Sequence, residues 1–152
     1  MNKYIEETSL LHYIYFMDFG TLLKEEDLLG RSILISIKPK FANHIFDGTK
    51  KYEYRKIAFS KDPEFCIVYA SYPIKKIIGF FKVGNILKGS STDIWERTNQ
   101  YGGIDLSAYL EYSKESAIII AIQILNPTLL IKPIDPFLVN PNFKPPQSFI
   151  YI

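Results

Sequence analysis

The residues best suited to chemistry lie in one short segment, DGTKKYEYRK, which spans residues 47–56. Its polar residues follow the spacing G-x-K-x-x-E-x-R, and the four residues concerned are Gly48, Lys50, Glu53 and Arg55. A glycine typically ends an element, and the polar residues that alternate with tyrosines after it predict a strand. An acid and a base held side by side on a rigid strand favour a polar binding or catalytic site.

The predicted strand decides which of these side chains meet. Side chains two positions apart in a strand share a face, so we expect Glu53 and Arg55 to point the same way, together with Lys51. Tyr52 and Tyr54 should point to the opposite face. The same spacing is also compatible with an ordinary ion pair on a solvated strand, which contributes little to stability.

The segment and its surroundings resemble the ASCH domain family, a branch of the PUA-like superfamily of small β-barrels. Residues 33–56 resemble the opening strand, helix and second strand of that family, and residues 66–86 resemble the strand pair that follows. This strand pair includes a Tyr-x-Ser-x-Pro turn formed by Tyr69, Ser71 and Pro73. The ending PPQSFIYI resembles the end of one branch of these proteins, so the resemblance spans residues 31–152.

The resemblance implies a fold. We expect a single α+β domain over residues 31–152, built on a PUA-like mixed β-barrel of about five or six strands. One flanking helix is expected over residues 39–47, and one or two more between residues 91 and 112. Residues 1–30 carry apolar residues at helical spacing, which predicts an N-terminal accessory helix outside the barrel.

The composition indicates a globular protein of one domain. Hydrophobic residues make up 47% of the 152 residues and charged residues 22%, which is typical of a folded chain rather than a disordered one. Lys and Arg number 18 against 16 Asp and Glu, a net charge of +2. This charge is too small to predict nucleic-acid binding by itself, so an anion site would have to arise from local clustering.

The chain has features of a protein from a reducing compartment. Cys66 is its single cysteine, so no intrachain disulfide can form. No apolar run approaches the roughly 18 residues needed to span a membrane, and the first residues lack the pattern of a signal peptide. We predict a cytoplasmic protein with no membrane partner, and the sequence indicates no oligomeric state.

Metal and cofactor motifs are missing from the sequence. His12 and His44 are the two histidines, and neither belongs to a cluster with the spacing of metal ligands. The phosphate-binding pattern of P-loop proteins and the GxSxG pattern of serine hydrolases do not occur. We therefore predict neither a metal nor a cofactor.

The resemblance also implies possible enzymes. In the small acetylcytidine amidohydrolases of this family, the motif lysine is catalytic, together with a threonine three residues later and a glutamate from a downstream helix. Lys50 matches the lysine, Glu53 stands at the threonine position, and Glu96 in DIWERT is a candidate for the helix glutamate. We expect a carboxylate beside Lys50 to keep it protonated, which disfavours a base or nucleophile. Ribonuclease activity is associated with the family as well. In a ribonuclease, Glu53 would act as the general base and Lys50 as the general acid, and Arg55 would bind the phosphate.

Recognition without catalysis is the other implication, because PUA-like domains often bind RNA or modified bases. Lys38, Lys50 and Arg55 would then contact phosphate, and Glu53 would accept a hydrogen from a base amino group. Ser71, in the turn described above, is a further ligand-binding candidate. Candidates for base stacking are Tyr52, Tyr54, Tyr69, Tyr72 and Trp95. One predicted hairpin carries several lysines, which either extend its basic character or simply keep its edge soluble. They are Lys75, Lys76, Lys82 and Lys88.

The leading hypothesis is therefore a domain that binds RNA or a nucleotide-like ligand in a polar cleft on Lys50, Glu53 and Arg55. One alternative is a small metal-independent hydrolase, either amidohydrolase-like or a ribonuclease. The other is a protein-interaction or inhibitor module that uses the helix predicted within residues 1–30.

Overall fold

The structure is a computed structural model that describes residues 32–152, so the predicted N-terminal extension, residues 1–30, lies outside the described residues. The elements within this range, in chain order, are β1 (Ser32–Ile37), α1 (Pro39–Phe46), β2 (Tyr52–Arg55), β3 (Phe65–Ala70), β4 (Lys76–Gly89), α2 (Ser91–Thr98), a 3₁₀ turn (Asn99–Tyr101), α3 (Leu106–Ser113), β5 (Ile119–Ile134), α4 (Pro136–Val139) and β6 (Phe149–Tyr151).

The strands form one mixed sheet of six strands in the order β2-β5-β4-β3-β1-β6, which curls into a half-barrel. β1 and β3 are parallel, and the other neighbours are antiparallel. Between β1 and β3 the chain passes through α1 and through β2, which pairs with β5 at the far edge of the sheet. The predicted α+β class, with a curled mixed sheet and flanking helices, is confirmed.

β5 is longer than its sequence suggests. The apolar run near residues 117–125 predicts a strand that ends before the prolines, but β5 continues through Pro127 and Pro133. The pairing of β4 with β5 changes register between Phe80 and Lys82 and again between Ile77 and Gly79. Such irregular positions tolerate prolines, because a residue outside the regular ladder needs no N–H donor.

Two hydrophobic clusters cover the two faces of the sheet. On one face, Ile35 and Ile122 pack with Ala42 and Ile45 of α1. On the other face, Leu34 and its neighbours pack against Phe143 in the last segment of the chain. Because alternate residues of β1 enter different clusters, this strand is buried on both sides.

A tight turn carries the chain from α1 into β2. α1 starts with Pro39, whose fixed φ suits the first helical turn. It ends before Gly48, which adopts a φ of +85° that favours glycine. The Lys50 backbone N–H then donates to the carbonyl of His44 at 2.9 Å. The turn thus fixes Lys50 close to α1 immediately before β2 begins.

We expect Gly79→Ala in β4 to destabilise the fold, because an added Cβ would lie 2.6 Å from the Phe46 ring and even closer to the backbone oxygen of Thr128. Overpacking of this kind costs about 1–3 kcal/mol. Gly89→Ala is the matched control, since its Cβ would meet the carboxylate of Asp93, an exposed side chain that can move away. In urea unfolding, the free energy of unfolding should fall strongly for Gly79→Ala alone. Equal losses of this free energy in the two variants would contradict the packing argument.

Candidate functional site

A cavity of about 840 Å³ opens beside β2. Its walls come from the end of β1, from α1, from α3 and from the residues that precede β6. These segments lie far apart in sequence. β1 lies next to the β6 edge of the sheet and β2 forms the opposite edge, so the curling of the sheet into a half-barrel brings them together. The cavity holds both charged and apolar side chains, as small-molecule sites commonly do.

Three ionisable side chains form the floor of this cavity. The guanidinium of Arg55 donates from Nη1 to Glu53 Oε1, and the ammonium of Lys50 lies 3.4 Å from Glu53 Oε2. The side chains of Lys50, Glu53 and Arg55 are only 2%, 9% and 9% exposed. A buried carboxylate between two buried cations is costly to desolvate, so such a network points to a functional rather than a purely stabilising role.

Arg55 is held by the backbone as well as by Glu53. Its Nη2 donates to the carbonyl of Ser36 at 2.8 Å, and its Nη1 donates to the carbonyl of Tyr54 at 2.7 Å. The Ser36 bond links β2 to β1 across the cavity. These contacts fix the guanidinium in one orientation, as a specific anion site requires.

Lys50 is enclosed by a carbonyl and by two aromatic rings. Its Nζ donates to the carbonyl of Gly102 at 2.5 Å. It also lies 5.0 Å from the ring centroid of Tyr54 and 5.5 Å from that of Phe41, both within the range of cation–π attraction. The ammonium therefore has few water contacts.

Burial is the main effect on the protonation of Lys50. It lowers the pKa of Lys50 below its ordinary value of 10.5, although the charge of Glu53 acts in the opposite direction. The sequence analysis considered the neighbouring carboxylate, whereas desolvation of the ammonium is the larger effect and sets the direction of this pKa shift. Burial also acts to raise the pKa of Glu53, but Lys50 and Arg55 outweigh it, and the net pKa of Glu53 is lowered from 4.5.

Two polar atoms of the floor keep hydrogen-bonding capacity. Within the described part of the chain, Glu53 Oε2 and Arg55 Nε are buried without a hydrogen-bond partner, although Oε2 has the ion pair with Lys50. Buried polar atoms are rarely left in this state. The floor therefore contains one acceptor and one donor, two positions apart in β2, whose hydrogen-bonding capacity is not used within the described residues.

The structure brings together five of the predicted site residues, since the cavity is lined by Lys38, Lys50, Glu53, Arg55 and Ser71. They come from β2 and its preceding turn, from the end of β1 and from the turn after β3.

Two other predicted positions lie elsewhere. Lys51, expected on the face of Glu53 and Arg55, is exposed and places its ammonium 5.2 Å from the ring of Tyr101. Lys51 lies before the first residue of β2, so the alternation of strand faces does not apply to it. The turn after α1 directs Lys50 into the cavity instead. Glu96 is exposed on α2, whose buried side carries Ile94 and Thr98, and it does not line the cavity.

Among the aromatic candidates, Tyr54 alone lines the cavity. Tyr69 is buried in the hydrophobic cluster beneath the last segment, Tyr72 is 82% exposed, and Trp95 packs 4.8 Å from the ring of Tyr109. Tyr52 packs against a third hydrophobic cluster, which Tyr54 and residues of α2, α3 and β5 form. The hairpin lysines Lys75, Lys76, Lys82 and Lys88 do not line the cavity either.

Several lining residues were missed by the sequence analysis. Phe41 comes from α1, Glu111 and Tyr112 from α3, and residues 145–148 from the last segment. The sequence does show that Ala108 and Tyr112 lie about one helical turn apart, so they share one side of α3. No local pattern indicated that this helix would face β2.

Metal ligands do not cluster in the described residues: no group of three His, Cys, Asp or Glu side chains comes together there. None of the helices within residues 32–152 has the length and hydrophobicity needed to cross a membrane.

The sequence matches a known domain family. The family model of the ASCH domain matches residues 35–128. This chain belongs to the ASCH domain family. A protein named ASCH domain-containing ribonuclease, from Zymomonas mobilis subsp. mobilis, is 27% identical over 125 residues, which cover 80% of this chain and 84% of that protein.

Solved structures agree with this assignment. The crystal structure of ASCH from Zymomonas mobilis has a TM-score of 0.74 and 26% identity, covering 80% of this chain and 87% of that one. The N-terminal domain of Staphylothermus marinus McrB has a TM-score of 0.52 at 13% identity and covers 82% of this chain and 89% of that one, which shows a shared fold only.

We expect Glu53→Gln to destabilise the protein by about 3–5 kcal/mol at neutral pH, because it leaves two buried cations without their carboxylate. The lowered pKa of Glu53 means that its stabilisation is present above pH 4.5 and is lost as the pH falls through the folded-state pKa. The difference between wild type and variant should therefore shrink in acid.

Urea unfolding at neutral and acidic pH measures this difference. The control is Asp93→Asn, which breaks an exposed pair with Arg97 and should cost less than about 1 kcal/mol. A Glu53→Gln variant as stable as wild type would show that the ion network is not coupled to folding.

Proposed function

We propose that this ASCH domain binds RNA, or a ligand with the chemistry of a nucleotide, in the cavity above Lys50, Glu53 and Arg55. The buried and partly unsatisfied ion network at the cavity floor is the observation that carries the proposal. The Zymomonas relative named a ribonuclease supports RNA as the ligand class. The cavity volume is of the size that holds small organic ligands.

The charges of the cavity favour an anion. Its lining includes four cationic side chains, Lys38, Lys50, Arg55 and Lys56, against two carboxylates, Glu53 and Glu111. This local excess exists although the net charge of the whole chain is only +2. A phosphate group would meet fixed donors on Arg55 and flexible ammonium groups near the mouth.

The depth of the ion network favours an unpaired nucleotide. Side chains that are less than one-tenth exposed cannot reach bases within an intact duplex. A base from a single strand or a loop can instead enter the cavity, as is usual for sequence-specific RNA recognition. Glu53 Oε2 then accepts a hydrogen from the base, for example from an amino group.

We expect Arg55→Gln to weaken the binding of short single-stranded RNA by about ten- to a hundredfold, because a charge-assisted hydrogen bond is lost. Lys38→Gln should weaken RNA binding less. It should also make the salt dependence of the binding constant less steep, by an amount that corresponds to about one phosphate contact.

Fluorescence anisotropy over a range of salt concentrations measures both effects. Lys82→Gln is the control, because Lys82 is exposed and lies outside the cavity. If all three variants bind like wild type, the cavity is not the RNA site.

RNA cleavage is a second candidate function, favoured by the lowered pKa of Lys50 and by the name of the Zymomonas relative. In this mechanism the carboxylate of Glu53, as general base, takes the proton of a ribose 2′-hydroxyl. The 2′-oxygen bonds to the adjacent phosphorus, the bond to the 5′-oxygen breaks, and the leaving oxygen takes a proton from the ammonium of Lys50, the general acid. Arg55 stabilises the negative charge that develops on the phosphate.

We expect Lys50→Met to reduce any such cleavage by about a hundredfold or more, since removal of a general acid or base has this effect. Lys51→Met is a matched control, because the neighbouring lysine is exposed and does not line the cavity. Chromatography of RNA products formed in chelator gives the rates. Equal activity in the two variants would remove Lys50 from the mechanism.

The amidohydrolase alternative has less support from the geometry. Glu53 occupies the position of the family's threonine, and its Oε1 is engaged by Arg55. Glu96, the candidate for the helix glutamate, does not line the cavity. Inclusion of acetylcytidine in the same chromatographic assay distinguishes deacetylation from RNA cleavage.

A further inference from the structure

We propose that the ring of Tyr112 forms a base-stacking subsite at the mouth of the cavity, separate from the ion network at its floor. The inference rests on the proposed function, since it assigns a place for the nucleobase of an unpaired nucleotide. Tyr112 belongs to α3 and lines the cavity together with Lys56 and Ile57, which are both exposed. The Tyr112 ring is half-buried: it packs against the hydrophobic cluster of α2, α3 and β5, and it also lines the cavity beside these exposed neighbours.

The orientation of the ring is fixed by a hydrogen bond. The Tyr112 hydroxyl donates to the carbonyl of Tyr54 in β2 at 3.1 Å. An aromatic side chain has only two soft torsion angles, and here the far end of the ring is tethered. A ring held in this way loses little entropy when a base stacks on it.

One face of the ring lies against an exposed lysine. The ammonium of Lys56 lies 4.9 Å from the centroid of the Tyr112 ring. Because Lys56 is exposed, its side chain can swing away when a base approaches. The freed ammonium is then positioned near the mouth, where it can meet the phosphate of the same or a neighbouring nucleotide.

The hydroxyl end of Tyr112 reaches towards the ion network. Burial raises the pKa of Tyr112, while the nearby charge of Arg55 lowers it and that of Glu53 raises it. The phenol is therefore within electrostatic reach of the floor, although its ring reaches the mouth. A nucleotide with its base on this ring would have its phosphate close to Arg55.

Stacking on a ring face accepts any base, because every base has a π-face. We therefore infer that Tyr112 contributes affinity for unpaired nucleotides without selecting their sequence. Selection, where it occurs, would come from the floor of the cavity, where Glu53 presents an acceptor.

The chain contains a matched comparison for this pair. Lys51 lies 5.2 Å from the ring of Tyr101, and Tyr101 is 44% exposed. This second lysine–tyrosine pair does not line the cavity. Loss of the Tyr101 ring should therefore leave RNA binding unchanged.

The experiment measures fluorescence anisotropy of the full chain with a short single-stranded RNA made of 2′-fluoro nucleotides, which cannot be cleaved by 2′-oxygen attack. The variants are Tyr112→Leu, Tyr112→Phe, Tyr101→Leu and Arg55→Gln, each checked by thermal unfolding. We expect Tyr112→Leu to weaken binding about ten- to a hundredfold. Tyr112→Phe, which keeps the ring, should remain within about threefold of wild type.

An otherwise identical oligomer without bases separates stacking from a structural effect. Wild type should bind it more weakly than RNA, and Tyr112→Leu should add no further loss. If Tyr112→Leu binds RNA like wild type, or if its loss is as large on the oligomer without bases, the stacking subsite is wrong. The proposed function fails separately, by the absence of any RNA binding or by an Arg55→Gln variant that binds like wild type.

Discussion

The buried carboxylate of Glu53 is the interaction on which the arrangement of the cavity depends. Without it, the ammonium of Lys50 and the guanidinium of Arg55 would be two like charges buried in one place. With it, both cations are tied to a central acid, and their remaining hydrogens reach the carbonyls of Gly102 and Ser36. One side chain thus couples β2 to β1 and to the segment that leads into α3. Networks of this kind cost desolvation energy, so the presence of one is weak evidence for a purely stabilising role.

Local rules were sufficient for the part of the site that is local in sequence. The motif spacing predicted that Glu53 and Arg55 share a face, and both line the cavity. The same rule assigned Lys51 to that face and failed, because strand alternation does not extend through the turn that follows Gly48. The end of β5 was predicted too early for a related reason. A proline cannot occupy a regular position of the strand ladder, but the irregular pairing of β5 with β4 accommodates it.

The walls of the cavity depend on contacts that no local pattern encodes. Tyr112 and Phe41 are separated by 71 positions, and their presence in one cavity follows from how α1 and α3 pack around β2. The same limit explains the protonation of Lys50. Its neighbour Glu53 is visible in the sequence, whereas the depth of burial that lowers its pKa is a property of the folded chain.

Burial of Lys50 has opposite consequences for the empty and the occupied cavity. In the empty cavity, desolvation lowers the pKa of Lys50 and brings the amine closer to the form that accepts a proton. A bound phosphate adds negative charge nearby and shifts that pKa back upwards. In the proposed complex, Lys50 would be better suited to hold the phosphate or to donate a proton, and the role of base would fall to Glu53, whose pKa is lowered. Under the proposed function, the charge balance of this one network would decide between RNA binding alone and RNA cleavage.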